Sequence, residues 1–275
     1  MGVLPDILKA VLIGVIEGVT EWLPISSTGH MIIADRFIKL GVSESFLEVF
    51  LVVIQLGAAL AVAVLYRAAL FPFGRGAGSR LAVRRPCLAL WGKCLAACVP
   101  AAVVGLLFDE RLNELFYNDI TVASALIVYG AVFIAVEKAR ASPRKFSSAA
   151  SLTYRAALGI GAFQILSLIP GTSRSGATIL GAMLLGASRG AAAEFSFFLA
   201  LPVMFGASAL KLVKFGFVFS PAEAAVLFSG AASAFVVSLV AVRFLTGYVK
   251  KHDFTVFGAY RIVLGLAVLA LAYLA

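Results

Sequence analysis

One short stretch of the sequence carries an unusual set of polar side chains. Between Glu17 and His30 the chain places two carboxylates, two serines, two threonines and a histidine. A helix would put Glu17 and Glu21 on one face, about 5–6 Å apart at Cβ. Two close carboxylates in a low dielectric either share a proton or share a divalent cation, so Glu17 and Glu21 are also candidate metal ligands. Both arrangements suit phosphoryl chemistry.

The end of this stretch could supply a nucleophile and a proton carrier. An unperturbed histidine titrates near neutral pH, so His30 can give a proton to a leaving oxygen or take one from a nucleophile. A lone histidine is often a hydrogen-bonded packing residue instead. Ser27 is the candidate nucleophile, activated by His30 or by a glutamate, and water is its rival. A serine here could also cap the following helix, a role that fits Ser26 or Thr28 as well.

The first stretch is therefore predicted to be one half of an active site. We predict four catalytic residues in it, namely Glu17, Glu21, Ser27 and His30. We also predict a phosphate-binding turn, made by Ser26, Thr28 and Gly29.

A second polar loop, from Pro170 to Thr178, lies in the other half of the chain. Small hydroxyl residues and glycines that open a helix offer backbone N–H groups and a positive dipole end to an anion. Arg174 adds a charge and a planar fork that can hold two phosphate oxygens. We predict Arg174 as a catalytic residue. The predicted phosphate-binding residues of this loop are Gly171, Thr172, Ser173, Ser175, Gly176 and Thr178.

The rest of the chain is strongly apolar. It is 62% hydrophobic and 13% charged, with a mean hydropathy of +1.03, whereas soluble domains are about 45–50% apolar and about 25% charged. This composition predicts an all-α polytopic membrane protein. The net charge of +9 does not indicate a nucleic-acid partner, because the basic residues lie in short loops between apolar runs.

The hydrophobic pattern divides the chain into membrane segments. These lie at about 7–24, 26–38, 46–66, 88–108, 119–137, 155–170, 174–188, 192–214, 222–246 and 254–275. The first two segments, and the pair on either side of Pro170, are short and broken by Pro, Gly and Ser. This predicts two helical hairpins that enter the membrane and return. The other six segments are long enough to span it.

Charged loops predict the orientation of these segments. The loops 67–86 and 138–155 and the pair Lys250-Lys251 are basic, and the loop 109–119 is acidic. The positive-inside rule places the basic stretches in the cytoplasm and the acidic loop outside. Each half of the chain then holds one hairpin and three crossings. Because three is odd, the second half is predicted to be inverted relative to the first.

The sequence also contains weak internal similarity. A shift of 147 positions places Glu17 on Gln164 and Ser26 on Ser173. We predict a single membrane domain with one repeat at about 1–137, a cytoplasmic linker at about 138–154 and a second repeat at about 155–275. Inverted repeats with broken helices place a binding site near the membrane midplane, where the two tips meet.

Further charged residues lie in or beside the apolar segments. A charged side chain at the bilayer centre costs about 2.5–3.5 kcal/mol by insertion scales, which favours a functional role for Glu17, Glu21 and Arg174 over a purely structural ion pair. We expect the others to pair with each other or to line the cavity: Arg189, Glu194 and Arg261.

Three motifs together resemble the bacterial undecaprenyl-diphosphate phosphatase family of the bacitracin-resistance type. They are Glu17-x-x-x-Glu21, Pro24-x-Ser-Ser-Thr-Gly-His30 and Pro170-Gly-x-Ser-Arg-Ser-x-x-Thr178, and the resemblance covers essentially the whole chain. It implies hydrolysis of undecaprenyl diphosphate to undecaprenyl phosphate and inorganic phosphate, which recycles the lipid carrier for peptidoglycan synthesis. The residues carried over from the family are Glu17, Glu21, Ser26, Ser27, His30, Ser173, Arg174 and Thr178.

The resemblance also implies a setting for the reaction. It implies a bacterial plasma-membrane protein, a site open to the periplasmic side, dependence on Mg²⁺ or Ca²⁺, and bacitracin resistance on overproduction. Undecaprenyl diphosphate and membrane lipids are the expected partners, and the sequence leaves a homo-oligomer open. The alternative function is a polyprenyl-phosphate transporter or flippase, because inverted repeats with broken helices are a transport architecture.

Overall fold

The computed structural model describes residues 3–75, 81–139 and 144–274. Parts of the two basic loops, 76–80 and 140–143, lie outside the described residues. The helices are α1 Val3–Thr20, α2 Ser27–Phe37, α3 Glu44–Leu65, α4 Arg67–Leu70, α5 Arg85–Phe116, α6 Asp119–Lys138, α7 Tyr154–Ile165, α8 Arg174–Leu184, α9 Arg189–Phe215, α10 Pro221–Tyr248 and α11 Thr255–Leu274. Short 3₁₀ turns lie at Ala149–Ser151 and Leu166–Leu168.

The predicted helical membrane fold is confirmed. Among the described residues, six helices are long and apolar enough to cross a membrane: α3, the Arg85–Phe108 part of α5, α6, α9, α10 and α11. They correspond to the six predicted spans. One small addition lies in the loop after α4, where strand β1 (Phe73–Arg75) pairs antiparallel with β2 (Leu81–Val83). Large apolar side chains are exposed along the spans, including Leu106, Phe205, Phe228, Val240 and Val263.

The two predicted hairpins are α1–α2 and α7–α8. Helices α2 and α8 have 11 residues each, which is about 16 Å at 1.5 Å per residue. The hydrocarbon core of a bilayer is about 30 Å thick, so neither helix can cross it alone. Each hairpin therefore turns inside the protein. We call these turns the two tips: residues 21–30 in the first hairpin and residues 170–178 in the second.

Contacts between helix ends show how the chain is threaded. At one end of the bundle, Glu137 near the end of α6 pairs with Arg189 at the start of α9, with Nη2 2.6 Å from Oε2. The same carboxylate accepts from the N–H of Phe254, just before α11, at 3.1 Å. The N–H of Ala149, shortly before α7, donates to Glu194 of α9 at 3.0 Å. This end thus gathers the end of α6 and the beginnings of α7, α9 and α11.

The opposite end of the bundle gathers a different set. Asp6, near the start of α1, accepts from the N–H of Gly41 in the loop after α2 at 3.0 Å. Arg36 at the end of α2 lies 3.5 Å from Asp119 at the start of α6. Helices α1 and α7 therefore begin at opposite ends of the bundle. An inverted repeat requires this placement, and the two repeats, the linker and the membrane sidedness stay predictions.

Two glycines allow the hairpins to approach the spans closely. A Cβ on Gly14 of α1 would overlap the carbonyl oxygen of Gly230 in α10, and a Cβ on Gly161 of α7 would overlap that of Ala97 in α5. Gly14 and Gly161 are related by the same shift of 147 positions as the two tips. Small residues at helix contacts let backbones pack closely in membranes. Each hairpin is therefore held against a span by direct backbone contact.

Replacing Gly14 with alanine is expected to lower the melting temperature of the purified protein. Replacing glycine with alanine inside a helix normally stabilises the folded protein by about 0.5–1 kcal/mol. Overpacking a close contact costs about 1–3 kcal/mol. Because the new methyl group clashes with Gly230, the net change in stability is expected to be negative. Gly206→Ala in α9 is the matched control, because nothing lies within 4 Å of its added Cβ. Thermal unfolding in detergent measures both variants. An equal or higher melting temperature for Gly14→Ala contradicts the close contact.

Candidate active site

Both tips use the same local structure to start a helix. Ser26 precedes α2 with φ 72°, and Ser173 precedes α8 with φ 71°. Their Oγ atoms accept from the N–H of Gly29 at 3.4 Å and of Gly176 at 3.2 Å. A non-glycine residue at positive φ costs of order 1–3 kcal/mol and persists mainly at functional sites, where the surroundings enforce it. The helix-capping role considered for Ser26 is therefore the role that this serine and Ser173 play.

The two tips contact each other directly. Ser175 Oγ donates to the carbonyl oxygen of Glu21 at 2.9 Å and lies 3.4 Å from that of Leu23. Gly171 has φ 91°, and a Cβ there would lie 2.5 Å from the carbonyl oxygen of Val122 in α6. Only glycine fits this position, because an added side chain would meet both strain and a clash. The predicted meeting of the two polar loops is present in the structure.

Glu21 connects the candidate nucleophile to the candidate anion-binding residue. Its Oε1 accepts from Nε of Arg174 at 3.3 Å and from Nη2 at 3.1 Å. Its Oε2 accepts from Ser27 Oγ at 3.2 Å. Arg174 Nη1 donates to the carbonyl oxygen of Ser196 at 2.7 Å. Since arginine has five N–H donors, two remain for a bound anion.

The remaining predicted phosphate-binding residues differ in what they contact. Thr178 is buried, and its Oγ1 lies 2.9 Å from the carbonyl oxygen of Arg174 and 2.7 Å from Ser196 Oγ. It therefore fastens α8 to α9. Ser173 and Ser175 share a hydrogen bond of 3.1 Å between their Oγ atoms. Gly29 and Gly176 place backbone N–H groups in the first helical turns, and Thr28 lies half-buried beside Gly29.

The ring nitrogens of His30 contact groups other than the hydroxyl of Ser27. His30 Nδ1 lies 2.7 Å from the carbonyl oxygen of Ser26, and its Nε2 lies 2.7 Å from Tyr260 Oη. Both ring nitrogens are thus engaged, and the glutamate is the group that contacts the hydroxyl of Ser27. Of the two activators considered from the sequence, the structure places Glu21 in position.

Arg261 of α11 joins both tips, a role that sequence reasoning did not identify. It is fully buried. Nη1 donates to the carbonyl oxygen of Pro24 at 3.2 Å, and Nη2 donates to those of Gly171 and Thr172, each at 2.9 Å. Its guanidinium also lies 5.9 Å from the ring centre of Tyr129. The only sequence signal was a lone arginine in an apolar helix.

The charges outside the motifs do not pair with each other, which was one of the two arrangements expected for Arg189, Glu194 and Arg261. Arg189 binds Glu137, and Glu194 accepts from a backbone N–H. Arg261 binds carbonyl groups. Glu137 had not been considered as a partner, because it lies far from Arg189 in sequence and meets it only at the bundle end.

Unsatisfied polar atoms concentrate at the tips. In the part of the chain that the structure describes, the buried side-chain atoms without a hydrogen-bond partner are Glu17 Oε1, Trp22 Nε1, Gln164 Oε1, Thr172 Oγ1 and Arg261 Nε. All belong to the two hairpins or to the arginine that touches both tips. Leaving a polar group unpaired in an apolar setting is costly. The region around the tips is therefore one where water or a polar ligand would be stabilised.

The oxygen atoms of Glu17 and Glu21 indicate whether this carboxylate pair could hold a metal ion. No group of three or more His, Cys, Asp or Glu among the described residues could hold a metal. Glu17 has a free buried oxygen, whereas Glu21 is already bound to Arg174 and Ser27. Mg²⁺ is commonly held by one or two carboxylates together with water and substrate phosphates. The pair fits that kind of site and does not form a complete protein cage.

Six helices long enough to cross a membrane and two polar tips that contact each other define a multi-pass membrane protein. The family model described as "Bacitracin resistance protein BacA" matches residues 10–267, and the chain belongs to this family.

Curated relatives match the chain over nearly its whole length. A protein from Acetivibrio thermocellus named undecaprenyl-diphosphatase is 56% identical over 264 residues, covering 96% of each chain. One of the same name from Enterococcus faecalis is 54% identical, again covering 96% of each chain. Undecaprenyl-diphosphatase 1 from Clostridioides difficile is 53% identical, covering 98% of this chain and 97% of its own. The expected family is confirmed.

Proposed function

We propose that this chain hydrolyses undecaprenyl diphosphate to undecaprenyl phosphate and inorganic phosphate, and so recycles the lipid carrier for peptidoglycan synthesis. The names of the full-length relatives support this substrate and give no support to the transporter alternative. One observation carries the mechanism: Glu21 bridges Ser27 and Arg174. A nucleophile, a base and an anion-binding cation thus form one connected group.

Ser27 is the proposed nucleophile. Its Oγ attacks the terminal phosphorus while Glu21 takes the hydroxyl proton, because Oε2 already accepts that hydrogen bond. The bond from phosphorus to the departing lipid phosphate breaks, the lipid phosphate leaves as an anion, and Glu21 keeps the proton. In the second half, His30 takes a proton from the attacking water, and Glu21 returns its proton to Ser27 as the phosphoserine bond breaks. The departing inorganic phosphate then takes the proton from His30.

The two helix starts are proposed to hold the diphosphate. Helices α2 and α8 both begin at the tips, so the backbone N–H groups and positive dipole ends of their first turns favour an anion. Arg174 contributes its two remaining N–H groups and its charge. Because the transferred phosphoryl group develops charge on its oxygens, positioning and electrostatic stabilisation supply most of the rate enhancement.

A divalent cation is proposed to bind at Glu17 and Glu21. When bound with the diphosphate, Mg²⁺ or Ca²⁺ would supply positive charge to the phosphate oxygens. Glu17 has the free buried oxygen for this role. The proposed setting is the bacterial plasma membrane, with the site open to the periplasmic side, as the family resemblance implies.

Turnover in detergent micelles tests the function. Micelles have no second compartment, so release of inorganic phosphate from undecaprenyl diphosphate reports an enzyme and not transport. We expect release by the purified protein, and expect it to fall on chelation of divalent cations. Binding of the lipid without release would favour the transporter instead.

Trapping with labelled substrate tests the nucleophile. We expect a His30→Ala variant, given undecaprenyl diphosphate labelled in its terminal phosphate, to accumulate label on Ser27, because loss of the proton carrier slows hydrolysis of the phosphoserine. The His30→Ala/Ser27→Ala double variant is the control and should carry none. Residual turnover of His30→Ala without any protein-bound label would identify water as the nucleophile.

A further inference from the structure

Tyr260 of α11 is a polar group at the site that none of the three motifs contains. Its Oη lies 2.7 Å from His30 Nε2, and the two rings are nearly parallel, with centres 5.6 Å apart and an interplanar angle of 9°. Tyr260 is 44% exposed, so it has both a contact with His30 and a face outside the packed protein. This contact links the last helix to the first tip.

Hydrogen-bond chemistry assigns the tautomer of His30. The carbonyl oxygen of Ser26 can only accept, so the 2.7 Å contact requires a proton on Nδ1. In a neutral ring Nε2 then has a lone pair and no proton. The hydroxyl of Tyr260 is therefore the donor, and it occupies the lone pair that His30 would use as a base.

We propose that Tyr260 is a positioning residue that fixes this tautomer and relays the proton of His30 in the phosphatase reaction proposed above. When His30 gains a proton, the O–H bond of Tyr260 breaks as the Nε2–H bond forms, and the phenolic oxygen takes a proton from a water or phosphate hydroxyl on its exposed side. When His30 loses the proton, each bond change reverses, and the leaving phosphate oxygen receives the proton that Tyr260 gives up.

This relay explains why His30 can serve the reaction without touching Ser27. Its Nδ1 is fixed to the tip by the carbonyl group of Ser26, so the only route for a proton is through Nε2. A phenylalanine at position 260 could make the same ring stacking with His30. The in-line hydroxyl is the part of Tyr260 that the relay requires.

Steady-state kinetics of Tyr260→Phe tests the relay. The variant keeps the ring and removes only the hydroxyl. Because general acid–base groups contribute about 10²–10⁴-fold, and because His30 itself remains, we expect kcat to fall about 10-fold to 100-fold. KM should stay within about 2-fold, since the binding loops are untouched. Tyr273→Phe removes a hydroxyl from an exposed residue of the same helix, and wild-type kinetics are expected for it.

Nitrogen NMR tests the contact without relying on activity. The chain has only two histidines, and His252 lies exposed in the loop after α10, stacked on Tyr248. In a His252→Gln background, ¹⁵N-labelled histidine reports on His30 alone. We expect a protonated Nδ1 and an unprotonated, hydrogen-bonded Nε2, and we expect Tyr260→Phe to move the Nε2 signal or introduce the second tautomer.

Two results would overturn the proposal. One is a Tyr260→Phe variant with wild-type kcat, and the other is a His30 spectrum that the substitution leaves unchanged. A lower kcat that matches a loss of folded protein, with an unchanged spectrum, would also count against it. If the wild-type protein released no phosphate, the proposed function would fail while the spectrum still tested the Tyr260 contact.

Discussion

Replacing Arg174 with alanine is expected to reduce phosphate release by about 10³-fold or more, the range found when an arginine that stabilises phosphoryl transfer is lost. Two effects act together. The diphosphate loses the charge and the free N–H groups of Arg174, and Glu21 loses the cation that holds it at 3.1 Å. The kcat for undecaprenyl diphosphate, measured in micelles on monodisperse protein, checks this expectation.

Two further variants separate chemistry from folding. The single variant leaves Glu21 buried without its partner, which is destabilising, so Glu21→Gln/Arg174→Ala removes both charges and should fold while remaining inactive. Arg174→Lys keeps the charge without the planar fork, and we expect partial activity. Arg243→Gln changes an exposed arginine and should behave as wild type. Full activity in any folded Arg174→Ala protein would exclude the proposed site.

Replacing Arg261 with methionine is expected to lower kcat by about 100-fold, because a displacement of catalytic groups by about 1 Å costs that much. Arg261 is the side chain that binds carbonyl groups of both tips. Methionine fills similar space but leaves three carbonyl groups without this donor. Without the arginine, the Pro24 and Gly171 turns are no longer tied together, and Glu21 loses its set position relative to Arg174.

The melting temperature is expected to change less than the activity. Three unpaired carbonyl groups cost about 1–3 kcal/mol each, but the variant no longer buries a guanidinium, which costs several kcal/mol by itself. These terms offset each other. Arg261→Lys can reach one tip through a single ammonium group but cannot bridge both, so it should resemble methionine in kcat. Wild-type kcat in the methionine variant would show that the tips are positioned by other contacts.

The membrane spans were predictable because length and hydropathy are local properties. The predicted span at 46–66 is observed as Glu44–Leu65, and that at 119–137 as Asp119–Lys138. The largest difference is α5, which continues to Phe116 past the predicted end at 108. Beyond that point the sequence becomes polar, and hydropathy detects the membrane boundary, not the helix end. The ladder of β1 and β2 was missed because each strand has only three residues.

The candidate site was predicted in part. The two polar loops were found because carboxylates, hydroxyls and an arginine are costly in an apolar chain. Their contact through Ser175 and Glu21 agrees with the expected meeting of the tips. The hydrogen-bond partner of each group could not be predicted in the same way. Ser27 had both His30 and a glutamate as candidate bases, and no particular glutamate was assigned to Arg174.

The amino-acid sequence by itself determined the membrane class, the family motifs and the two loops that carry the chemistry, because these depend on residue type and spacing along the chain. Only the tertiary structure decided that Glu21 joins Ser27 to Arg174, that Tyr260 holds His30 and that Arg261 ties the tips together. The contacts of Arg174 with Glu21, of Tyr260 with His30 and of Arg261 with the tips connect residues from 89 to 237 positions apart. Hydrogen bonds over such separations depend on how helices pack, and no local pattern in the sequence records that packing.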